Sequence, residues 1–123
     1  MDFPGVELSI YGFSLKISGI VTLGGAALVA YYLSSEANQR RIVTALSNFL
    51  DKCGATLNNV VARCLIVEIQ CNSRESFLQF LVDYELGNVE KRLSEEFSKL
   101  GIEEITVEIE NREEVLRRRE VIR

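Results

Sequence analysis

The chain has 123 residues, of which 47% are hydrophobic and 26% are charged, and its formal net charge is −4. This length fits one ordinary domain with an appendage rather than two well-packed domains. The negative charge argues against a nucleic-acid partner. The absence of histidine removes the commonest zinc ligand and the usual base of Ser-His and Cys-His nucleophiles. We therefore expect no catalytic residue, no cofactor, no metal and no nucleic acid.

Two other residue types that could support catalysis, carboxylates and cysteines, give only weak signals in this sequence. Carboxylates occur as adjacent doublets, and neighbouring residues on a helix point about 100° apart, so these doublets indicate solvated faces rather than facing catalytic acids. The three cysteines lack C-x-x-C spacing, which predicts free thiols in a reducing compartment: Cys53, Cys64 and Cys71.

Residues 1–16 are predicted as a strand-like or interfacial segment. In "VELSIYGFSLKISG" apolar and polar residues alternate on both sides of Gly12, which predicts strand or hairpin character broken at that glycine. The same alternation suits an amphipathic segment at a membrane interface. The sequence leaves both interpretations open.

Residues 17–35 are predicted as a transmembrane helix, because no charge occurs between Lys16 and Glu36. A helix of this length spans roughly 28 Å, close to the roughly 30 Å of a bilayer core. An aromatic pair at the membrane interface and two arginines after it place the C-terminal side in the cytosol. These interface residues are Tyr31, Tyr32, Arg40 and Arg41. A signal peptide fits less well, and a buried helix of a soluble core remains an alternative.

Small side chains recur every four residues along this predicted helix, with glycines nearby. Such a face lets a second membrane helix approach closely, so we expect self-association there and a homo-oligomer. The alternative is that small residues are simply common in membrane helices. The predicted face consists of Ser18, Thr22, Ala26, Ala30, Gly19 and Gly25.

Residues 36–123 are predicted to alternate helices and strands. A helix follows Glu36 and stops at Gly54, "ATLNN" forms a turn, and "VVARCLIVEIQC" forms a strand. Capping-box spacings at Asn72 and Asn111 open two further helical segments, the first broken near Gly87. The strand "ITVEI" lies between them. In the last helix, glutamates four residues before arginines indicate ion pairs rather than a nucleic-acid site.

The run from Cys64 to Ile122 resembles the TRADD amino-terminal domain family of death-domain adaptors. The order of a strand, a helix, a Gly-Asn step, a leucine-rich continuation, a second strand and a closing helix carries this resemblance. The matching residues are Leu65, Ile66, Val67, Phe80, Leu81, Tyr84, Gly87 and Leu93. The resemblance implies a ferredoxin-like α+β sandwich that acts as an interaction platform without catalysis.

The fold class expected for the whole chain is thus α+β, with an N-terminal transmembrane helix before a small sheet-plus-helices domain. The expected function is a single-pass, membrane-anchored adaptor that gathers protein partners for signalling, with a role in cell death or immunity. The partners are the lipid bilayer, other proteins and further copies of the chain. The alternative is an oligomeric, pore-forming effector whose glycine-rich helix inserts into the bilayer.

Overall fold

A computed structural model describes residues 9–61 and 65–123 of the chain. These residues form four strands and five helices, with a short 3₁₀ turn at Ser9–Tyr11 before the first strand. The elements in chain order are β1 (Gly12–Val21), α1 (Leu28–Ser34), α2 (Glu36–Lys52), β2 (Ala55–Val61), β3 (Ile66–Cys71), α3 (Arg74–Glu85), α4 (Asn88–Ser98), β4 (Ile102–Ile109) and α5 (Arg112–Ile122).

The four strands form one antiparallel sheet in the order β2-β3-β1-β4. The pair α1 and α2 connects β1 to β2, and the pair α3 and α4 connects β3 to β4. Each crossover therefore joins two strands that are separated by a third, which is the split βαβ arrangement of ferredoxin-like domains. The chain is a small α+β domain with β1 at the centre of its sheet.

The core lies between one face of the sheet and the helices. Alternate residues of β1 point into it, and the aromatic rings meet there: the Phe13 ring centroid lies 5.3 Å from that of Phe80 and 5.9 Å from that of Phe77. Edge-to-face contacts of this kind stabilise a core beyond simple burial. All buried side chains among the described residues are hydrophobic.

The predicted transmembrane helix is wrong, because the uncharged stretch forms three different elements. Up to Val21 it is β1, then comes a loop, and only Leu28–Ser34 is helical. Gly24 and Gly25 have φ angles of +97° and +69°, which a continuous right-handed helix cannot contain. None of the helices in residues 9–61 and 65–123 is long and apolar enough to cross a membrane. The predicted single-pass membrane location is therefore wrong as well.

The buried residues of the stretch pack against the rest of the domain. Leu28 and Tyr32, four residues apart on α1, are buried against the core. Ser35 then has extended backbone and accepts a hydrogen bond from the Asn38 N–H at 3.1 Å, which starts α2 as a separate helix.

Two local predictions also change, and a third is confirmed. The "ATLNN" turn is wrong, since these residues open strand β2. The cap of α3 is Ser73 rather than Asn72, because the Ser73 oxygen accepts the Ser76 N–H at 3.1 Å. The helical break is confirmed at Gly87, whose φ is +81°. Predictions that concern residues 1–8 and 62–64 lie outside the described residues.

Candidate interaction face of the sheet

The sheet has a second face, opposite the helices, on which polar side chains form ordered rows. On β1 these side chains alternate with the core residues, and the antiparallel register places each one opposite a neighbour on another strand. Ser14 lies opposite Glu68 of β3, and Lys16 lies opposite Glu108 of β4. We call this surface the open face and define it by Ser14, Lys16, Ser18, Ile20, Glu68, Glu103, Thr106 and Glu108.

Most of these side chains are exposed. Lys16, Thr106 and Glu108 are accessible, and Ile20 adds an apolar side chain that is 41% exposed. The hydroxyls of Ser18 and Thr106 share a hydrogen bond between β1 and β4. At the other end of the face, beside β2, a depression of about 330 Å³ includes Glu68 in its lining.

The net charge of the protein is concentrated on the strands that form this face. The strands and the residue after β4 carry one lysine and five glutamates, so their net charge equals the −4 of the whole chain. The charges on the rest of the chain therefore cancel. The six residues are Lys16, Glu68, Glu103, Glu104, Glu108 and Glu110. A charge distribution of this kind attracts basic surfaces over a range set by the ionic strength.

The outer edge of β4 is covered by side chains from the helices. The Tyr84 hydroxyl accepts the Ile109 N–H at 3.2 Å, and a carboxylate oxygen of Glu90 accepts the Val107 N–H at 3.1 Å. An unpaired strand edge is a template for another strand, so these two bonds protect β4 from pairing with a second chain. Local sequence patterns do not predict these two bonds, because they join residues that only the packing of α3 and α4 beside β4 brings together.

The six residues of the predicted self-association face do not form one helix face. Ser18 and Gly19 belong to β1, Gly25 lies in the loop, and Ala30 is on α1. Three of the six do meet in space: Thr22, Ala26 and Ala30 line one cavity of about 460 Å³ between the loop, α1 and the start of β4.

The four residues predicted at a membrane interface lie on α1 and α2, and no element in residues 9–61 and 65–123 is a candidate membrane helix. Tyr32 is buried in the core, while Arg40 and Arg41 are exposed on α2. The Arg41 guanidinium donates to the Asn38 side-chain oxygen at 3.3 Å and to the Tyr31 hydroxyl at 3.5 Å. The contact with Tyr31 joins α2 to α1.

The side chains with shifted pKa values owe these shifts to burial or to a contact between helices. Burial raises the pKa of the Cys71 thiol to about 12 and also raises the pKa of Cys53, which disfavours the thiolate that a nucleophile requires. The hydrogen bond from Lys52, 3.3 Å away, lowers the pKa of Glu96 and links α2 to α4. In the described part of the chain, no three acidic or cysteine side chains converge as metal ligands would.

This arrangement supports non-covalent binding of a partner on a rigid, acidic sheet surface. No family model matches the chain, and no curated protein matches it. The resemblance of residues 64–122 to the TRADD amino-terminal family therefore stays a prediction.

Proposed function

We propose that this protein is a non-catalytic interaction domain, an adaptor whose open face binds a basic surface of a partner protein. The observation that supports this proposal most directly is the position of the net charge. The four strands and Glu110 carry a net −4, of which the residues that define the open face carry −2, while the charges elsewhere cancel. A partner with lysines and arginines gains most by docking at this face.

The chemistry of the open face suits basic side chains in particular. Glu103 and Glu108 are exposed carboxylates, and Ile20 lies directly opposite Glu103 in the sheet register. Arginine and lysine combine a cationic head with an apolar stem, so a surface that pairs carboxylates with an aliphatic side chain binds both parts. The sheet also holds these groups in fixed register, which reduces the ordering cost of binding.

The resemblance to TRADD-type domains supports the same class of function, since it implies an interaction platform for signalling assembly. A role in cell-death or immune signalling belongs to this proposal. Its physical core, an acidic sheet face that binds a basic partner, does not depend on that role.

The test is an NMR titration with a defined probe, a short peptide that alternates arginine and valine. We expect the amide signals of Lys16, Ser18 and Thr106 to shift, and the apparent affinity to fall as salt is added. The double variant Glu103→Lys/Glu108→Lys should weaken peptide binding by about tenfold or more.

The matched control makes the same charge change on the helices, at Glu95 and Glu113, which are both exposed. Glu95→Lys/Glu113→Lys should weaken binding only slightly. Equal losses in the two double variants, or peptide-induced shifts spread evenly over α2 and α5, would show that only overall charge matters and would refute the proposal.

A further inference from the structure

One stretch of the chain is uncharged and largely exposed. No charged residue occurs between Lys16 and Glu36, and many of the side chains in between are exposed. Leu23 is 91% exposed and Leu33 is 54% exposed. We call this surface the neutral pole and define it by the exposed residues Thr22, Leu23, Gly24, Gly25, Ala26, Ala27, Ala30, Leu33 and Ser34.

The loop that carries Leu23 is held in place by backbone hydrogen bonds. The Val21 N–H donates to the Ala26 carbonyl at 2.7 Å, which closes the loop across its base. Both the N–H and the hydroxyl of Thr22 donate to the Gly101 carbonyl at 2.9 Å, which fixes the loop to the start of β4. Leu23 therefore projects from an ordered loop, and its exposure is a fixed feature of the surface.

A cavity of about 460 Å³ opens beside this projecting leucine. Its walls are mostly apolar and contain no charged side chain, and small residues from the loop and α1 keep it open. The lining includes Leu23 itself together with Val21, Ala26, Ala30, Tyr31 and Leu100. The same pole thus presents both an apolar projection and an apolar recess.

We propose that two copies of the chain associate through their neutral poles about a two-fold axis, with Leu23 of each copy seated in the recess of the other. A two-fold contact requires a self-complementary surface, and a projection beside a recess meets that requirement. The distribution of charge also favours this surface for a contact between two copies. Two copies with a net charge of −4 each repel one another, and no charged side chain lines the recess into which Leu23 inserts.

This contact goes beyond the proposed function, because it uses a different surface. The pole leaves the carboxylates of β3 and the middle of β4 free, so the dimer presents two open faces. A partner with two basic sites then binds both faces at once, with an avidity above that of either single contact.

The test is sedimentation equilibrium on the full chain, from about 10 µM to about 1 mM, a range that covers weak dimers. We expect reversible dimerisation that Leu23→Asp weakens by at least about tenfold, because a carboxylate would be buried in an apolar recess. Ala30→Arg, which fills the recess, should have the same effect.

The matched control is Leu86→Asp, since Leu86 is a 70% exposed leucine at the end of α3, away from the pole. It should leave the dimer constant within about twofold. Circular dichroism confirms that each variant is folded.

Three outcomes would overturn the proposal. The wild-type chain could remain monomeric throughout the range, or Leu86→Asp could weaken the dimer as much as Leu23→Asp does. Alternatively, the chain could remain monomeric and co-sediment with phosphatidylcholine vesicles in a Leu23-dependent way, which would make lipid the occupant of the pole. The peptide titration of the open face is unaffected by any of these results, so the two proposals fail separately.

Discussion

Gly54 lies between α2 and β2, and two features of its site require glycine: its backbone conformation and the closeness of a neighbouring side chain. Its φ angle is +69°, and a Cβ there would lie 2.4 Å from the Ser76 hydroxyl oxygen and 3.2 Å from the Ser76 Cβ. The Ser76 side chain is not free to turn away, because its oxygen accepts the Ser73 hydroxyl at 3.0 Å within the cap of α3. A methyl group at position 54 would therefore disturb the start of a helix distant from it in the sequence.

Gly54→Ala is expected to lower the free energy of unfolding by more than the usual cost of a left-handed alanine, which is about 1 kcal/mol. Gly87→Ala is the matched control, since Gly87 has a φ of +81° but nothing lies within 4 Å of its added Cβ. Urea denaturation of both variants measures the difference, which we expect to be at least about 1 kcal/mol. Equal costs would mean that Ser76 yields without loss.

The secondary elements show that one sheet edge is sealed by side chains. Tyr84 at the end of α3 and Glu90 at the start of α4 accept N–H groups of β4 that no neighbouring strand takes. The turn around Gly87 connects these two helices, and so it positions both acceptors along β4. The break between α3 and α4 thereby protects the strand.

Tyr84→Phe is expected to cost about 1 kcal/mol of stability, because it leaves the Ile109 N–H without its acceptor. Amide exchange at Ile109 should accelerate in the same variant. Tyr31→Phe serves as the control: the Tyr31 hydroxyl accepts only a 3.5 Å contact from Arg41, so its loss should cost less than about 0.5 kcal/mol. Unchanged exchange at Ile109 would contradict the role given to Tyr84.

Local sequence patterns predicted the elements whose signals are local. The stripe of α2, the alternation in β3 and β4 and the break at Gly87 all depend on neighbours a few residues away. The helix predicted for the stretch 17–35 is wrong because its buried residues contact distant segments: β1 lies between two strands, and α1 packs its buried face on the core. A run of uncharged residues does not distinguish burial in lipid from burial in protein.

The candidate surfaces were beyond sequence analysis for a related reason. The open face exists only once the register places Lys16 opposite Glu108 and Ser14 opposite Glu68. In the sequence, the neutral pole is visible only as a run of residues without charge. Thr22, Ala26 and Ala30 were grouped by helical spacing, and they do come together, but around a loop and a cavity instead of along a helix.

At the scale of the whole molecule, the thiol of Cys71 links stability to alkaline pH. Cys71 is 1% exposed in the core, and burial raises its pKa from 9.0 to about 12. The folded chain therefore keeps the thiol protonated at a pH where the unfolded chain has lost the proton. Stability from this difference is fully present below pH 9 and is lost as the pH rises from 9 towards 12.

Replacing Cys71 with alanine should therefore change the pH dependence of stability as well as its size. At pH 7 we expect Cys71→Ala to be less stable by about 1 kcal/mol, and above pH 9 the gap to wild type should shrink by up to about 1.4 kcal/mol per pH unit. Denaturation at a series of pH values measures the gap. Val67→Ala, a core variant on the same strand, should keep a constant gap, and a constant gap for Cys71→Ala would contradict the prediction.

The central position of β1 determines the order in which the strands of the sheet can pair during synthesis. β1 leaves the ribosome early, yet Lys16 waits for Ile66 on one side and for Glu108 on the other. The strands β2 and β3 are near neighbours in the chain and can pair first. β1 is thus made before both of its partner strands, and one of its backbone edges stays unpaired until β4 emerges.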